Sequence, residues 1–72
     1  MKTRSMEPVE ATIIRIIADP KLPGALLVSF DALAAYYQAS GAIVELLAKL
    51  KSSDRVRFTH DLQCRLLSIE AM

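Results

Sequence analysis

His60, Asp61 and Cys64 carry the most reactive side chains of this chain, and they crowd into one short segment. Imidazole, carboxylate and thiol together suggest a metal site. A zinc site takes three or four protein ligands, however, and the chain has a single His and a single Cys. Only a site bridging two chains would complete the set, so the segment reads as a polar turn, with no metal and no cofactor expected. Catalysis finds no better footing. One His, one Cys, no glycine-rich phosphate loop and no acidic pair set in a plausible cleft leave nothing to activate, and Cys64 reads as a small apolar filler in a strand. No enzyme is expected.

The remaining chemistry is cationic and aromatic. Arg55, Arg57 and Arg65, with Lys49 and Lys51, suit contacts to phosphates, or else an ordinary solvated face. Tyr36 and Tyr37 suggest base stacking. Adjacent residues on a helix diverge by about 100°, so one of the pair belongs to the core and the other to the surface.

Composition bounds what such residues can serve. Seventy-two residues make one domain, and 53% of them are apolar while only 6% are aromatic. That fraction excludes a disordered tail and requires an aliphatic core. It is high for a free monomer of this size, which points to a homodimer or a protein partner. Nine Lys and Arg against eight Asp and Glu give a net charge of +1, so nucleic-acid contact would need local placement of charge rather than an overall field. One cysteine allows no intramolecular disulfide. No apolar run approaches the roughly 18 residues of a membrane span, and MKTRSMEPVE leads into no signal-peptide core. A soluble cytoplasmic protein is expected.

The elements that would position these groups follow from spacing. Residues 1–7 read as a flexible lead and 8–72 as the domain. Over Val9–Ala18 two periods compete. Thr12, Ile13, Ile14, Ile16 and Ile17 are β-branched and favour a strand. Strict alternation fails, though, and Val9, Ile13, Ile16 and Ile17 form a helical stripe that Pro20 would end, so a helix is expected. DPKLPG is a rigid turn. Ala25–Val28 suits a short strand. Ser29 suits a helix cap with Asp31 in the first turn, opening a second helix from Phe30 to about Gln38. Gln38-Ala39-Ser40-Gly41 interrupts, and Ser40 would cap a third helix over Gly41–Lys51 that buries Val44 and Leu47. Arg55–Thr59 alternates as a half-buried strand, and Cys64–Glu70 is its hairpin partner. The expected core is Val9, Ile13, Ile16, Ile17, Leu27, Leu33, Tyr37, Val44, Leu47, Leu50, Val56, Phe58 and one of Leu66 or Leu67.

This order, and above all SFDALAAYYQASGAIVELLAKL, resembles the winged helix-turn-helix superfamily over residues 8 to 70. Ser29, Leu33, Ala34, Ser40, Val44 and Leu47 occupy the cap, small-residue, turn and inward places of that pattern. The resemblance implies a mainly α fold with a small β-hairpin: three helices plus a two- or three-stranded wing sheet. It implies a DNA-binding transcriptional regulator on double-stranded DNA, with the third helix in the major groove and the wing on the backbone. Ser40, Ala42, Lys49, Arg55, Arg57 and Arg65 would carry the contacts. The alternative is a protein-interaction module without nucleic acid, presenting Ala42, Ile43 and Leu46 as an apolar patch.

Overall fold

A computed structural model describes residues 7–31 and 33–72, with the backbone alone over 33–35. The elements run β1 (Val9–Ala18), β2 (Leu26–Phe30), β3 (Leu33–Ala39), α1 (Ala42–Leu47), β4 (Arg55–His60) and β5 (Leu66–Ala71). All strand pairs are antiparallel, and the five lie in the order β3-β2-β1-β4-β5. An isolated parallel bridge between Gln38 and Arg65 brings the two edges together, with the Gln38 amide donating to the Cys64 carbonyl at 2.9 Å. The sheet thus curls into a partly open barrel, with β4-β1-β2-β3 as a Greek key. A five-stranded barrel of this kind is the architecture of the OB type.

The mainly α winged helix is therefore corrected: five strands and one short helix make up the described residues. The resemblance over residues 29–50 fails because its first helix is a strand.

The physical reason for the first error is a bulge. β1 pairs with β4 over Val9–Thr12 and with β2 over Ile13–Ala18, and its register with β2 slips between Ile13 and Arg15. Ile14 is the extra residue. Val9, Ala11 and Ile13 face inward before it, and Ile16 after it. A bulge turns the inward spacing from two into three, which imitates a helical stripe. Ile17, expected in the core, is 38% exposed.

The second error lies at Phe30–Gln38. Ser29 caps nothing; it sits inside β2 and pairs with Tyr36. Tyr37 and Ala39 are buried while Tyr36 is half-exposed, an alternation that only a strand produces. Pairing with β2 overrides the helix preference of the alanines. The side chains of Leu33 and Ala34, expected to face inward, lie outside the described residues, as do residues 1–6 of the lead.

The third helix survives in shortened form. Gly41, at φ 61° and ψ −137°, precedes it in a conformation that suits glycine. Gly41, not Ser40, occupies the cap position, and no side-chain capping hydrogen bond is made there. The chain does change direction here, but from strand to helix. Leu47 drops into the core, 1% exposed, and α1 lies against β5. After α1, the Asp54 carboxylate accepts from the Lys51 amide at 3.0 Å and closes the turn into β4.

The core is more aromatic at its centre than the composition suggests. Phe30 stacks on Phe58 at 4.1 Å between centroids, and Tyr37 meets both edge-on at 5.5 and 5.2 Å. Edge-to-face and offset contacts of this kind each add about 1 kcal/mol beyond burial. Ile13, Val28, Leu47, Val56, Leu66 and Ile69 pack around them.

Candidate functional site

The outer face of β1, β2 and β3 presents two lateral rows. Arg15 pairs with Ser29, which pairs with Tyr36; Ile17 pairs with Leu27, which pairs with Gln38. Because paired residues share a face, each row runs straight across three strands, and Arg15 and Tyr36 stand about 10 Å apart at two strand spacings. Tyr36 is 48% exposed. Among the described residues Arg15 has no carboxylate partner.

Two loops frame this face, and Gln38 ties both to β3. In the β1–β2 loop the Asp19 carboxylate accepts from the Lys21 and Leu22 amides at 2.8 and 3.3 Å and from Gln38 Nε2 at 2.8 Å. The Gln38 bond, followed by the Lys21 amide, holds the Asp19 carboxyl below its ordinary value. In the β4–β5 loop Asp61 accepts from the Gln63 and Arg65 amides at 2.8 and 3.0 Å and from Arg65 Nε at 2.8 Å. The Arg65 amide is the main reason its carboxyl is also held low. The Gln38 amide completes the frame through the Cys64 carbonyl. Cys64 itself takes a positive φ of 61° to make this turn. Beneath it, burial raises the Tyr37 phenol above its ordinary value, and the neighbouring Cys64 adds to the shift.

The residues expected to touch DNA fall into separate places. Ser40 and Ala42 are exposed at the start of α1, and Lys49 lies just past its end. A six-residue helix preceded by a strand cannot act as the second arm of a helix-turn-helix, so the major-groove geometry is withdrawn. Arg55 and Arg57 share the outer face of β4, where Arg57 meets Glu10 at 3.1 Å and Glu70 at 3.5 Å, and Arg55 reaches the Thr12 hydroxyl at 3.4 Å. Arg65 is held by Asp61. Of the alternative apolar patch, Ile43 packs against the core, while Leu46 is 42% exposed beside Lys49, Ile69 and Glu70.

His60 turns its Nδ1 to the Asp61 carbonyl at 2.8 Å and its ring toward Tyr37. Among the described residues no three His, Cys, Asp or Glu side chains converge on a point. Among the described residues no helix is long and apolar enough to cross a membrane.

Arg15, Ser29 and Gln38 were not legible as site residues. Ser29 reads locally as a cap and Gln38 as the end of a helix, and Arg15 lies in the segment expected to be helical. The one available signal was the Tyr36–Tyr37 pair, which splits into surface and core as its adjacency requires. Comparison with protein-family models, curated proteins and solved structures finds no match for this chain.

Proposed function

We propose that this protein is a small binding module that holds single-stranded nucleic acid on the outer face of β1–β3. The observation that carries this reading is the row Arg15–Ser29–Tyr36, an accessible aromatic ring aligned across the strands with a cation that has no carboxylate partner among the described residues. Single strands are held by stacking bases on aromatic rings and by pairing phosphates with cations, and neither needs a groove-entering helix. Support by architecture is analogy: OB-type barrels commonly use this face and the loops beside it for oligonucleotides. Ser29 and Gln38 supply hydroxyl and amide groups for base edges or sugars. A reducing compartment, the cytoplasm, suits the unpaired Cys64.

Fluorescence anisotropy of a labelled oligothymidylate, titrated at low and at moderate salt, tests the reading. Binding should weaken as salt rises, and Tyr36→Ala should weaken it at both salts. Wild-type-like binding by Tyr36→Ala, or none at low salt, overturns it.

A second reading is a protein-interaction module that pairs two copies or a partner through Leu46. Its support is the exposure of Leu46 against Ile69 and Ala71 at the foot of β5. Concentration-dependent sedimentation that Leu46→Glu abolishes would favour it, and a monomer unchanged by that substitution would exclude it.

A further inference from the structure

The bulge in β1 does more than reset register. It places Ile14, 55% exposed, on the rim of a groove of about 460 Å³ between the bulged strand and the end of α1. Leu47 forms the floor, Leu26 and Leu50 are half-buried along the walls, and Arg15 and Lys51 line the groove with no acidic residue among its lining. The volume lies within the roughly 300–1,000 Å³ of ordinary ligand clefts. Bulges often re-aim a side chain beside a site. Here the re-aimed side chain is a large aliphatic one facing water.

Charge decides what could cover it. Arg57 and Arg65 are matched by carboxylates of this chain, whereas Arg15 and Lys51 have none among the described residues. Apolar walls with an unmatched positive rim complement an apolar group flanked by negative charge. The chain's own first residues, MKTRSM, carry Lys2 and Arg4 and no acid, so they have the wrong sign to occupy it.

We propose that this groove docks an acidic segment of a partner protein. One large aliphatic side chain enters between Ile14 and Leu47, and neighbouring carboxylates pair with Lys51 and Arg15. Rim charges of this type govern partner choice and encounter rate more than total affinity. The surface is distinct from the nucleic-acid face, although Arg15 borders both, so Ile14 and Lys51 carry the test.

The probe is a fluorescein-labelled peptide of alternating Glu and Leu, compared with a Lys–Leu and a Glu–Ser version on the full chain. The Glu–Leu peptide should bind about tenfold tighter than either. Lys51→Glu, on an exposed turn, should reverse the preference between Glu–Leu and Lys–Leu, and Ile14→Asp should abolish Glu–Leu binding. Tyr36→Ala should leave it unchanged; loss of oligonucleotide binding alone would then count only against the other face. The proposal is overturned if the three peptides bind alike, if none binds at about 1 mM, or if Lys51→Glu keeps the wild-type order. It is equally overturned if amide resonances of Ile14 and Lys51 shift on dilution as a dimer dissociates, which would make a second copy the occupant.

Discussion

The two outer faces of the barrel differ in how their charges are used. On the β4 side, Arg57 lies between Glu10 and Glu70, Arg55 reaches Thr12, and Thr59 meets Ser68 at 2.6 Å. Across β1–β3, Arg15 is free of carboxylates among the described residues and Tyr36, Ile17 and Leu27 face outward. The first face is matched within itself and the second is not. Three arginines in one β-hairpin look like a phosphate-binding wing in the sequence, yet two of them are matched by acids of the same chain. Cations matched by acids of the same chain are less available to an external phosphate, and that is the ground for proposing the β1–β3 face instead.

The contrast can be tested most severely through what both faces share. Phe58→Ala removes the ring stacked on Phe30 and should cost about 3–5 kcal/mol, a large share of what a domain this small can hold. Urea denaturation should show it, and binding at either face should fail together. An effect confined to one face would mean the barrel halves are independent.

Next is Tyr36→Ala. Loss of one stacked base is worth about 1–3 kcal/mol of binding, with little change in Tm because the ring is half in solvent. A Tm loss as large as that of Phe58→Ala would make Tyr36 structural and remove the contrast.

Smaller still is Arg57→Ala. Exposed ion pairs contribute about 0–1 kcal/mol, so stability should barely move and oligonucleotide binding should stay at the wild-type level. A steep loss of binding would return the phosphate contacts to the β4 face.

The pH profile sharpens the role of the loops. Asp19 and Asp61 are held below the ordinary carboxylate value of 3.8. Their contribution is complete above that value and is lost as pH falls through their lowered folded values. Thermal melts should therefore drop in acid, and Asp19→Asn should flatten part of the fall. Tyr37 works in the opposite sense. Its raised folded value means stability is intact below pH 10 and declines as pH climbs beyond it.

Several features were readable before any coordinates. The β4–β5 hairpin follows from alternation: Val56 and Phe58 are buried while Arg55 and Arg57 are exposed. The short strand expected at Ala25–Val28 lies at Leu26–Phe30, and Leu47 anchors α1 as its spacing predicted. Local pattern sufficed there because each element has one wet face and one dry face. The candidate site was hidden because its rows are assembled from three strands, of which two read as helices and the third was displaced along the chain.

The amino-acid sequence alone determined an aliphatic-rich domain, a turn at DPKLPG, a break at Ser40–Gly41 and a terminal hairpin, because glycine, proline and strict alternation act over a few residues. Only the tertiary structure decided that Val9–Ala18 and Leu33–Ala39 are strands and which cations find partners. A bulge makes strand spacing look helical, alanine-rich segments accept either conformation, and ion pairs such as Arg57–Glu10 join residues far apart in the chain. Long-range pairing resolves all three, and nothing local encodes it.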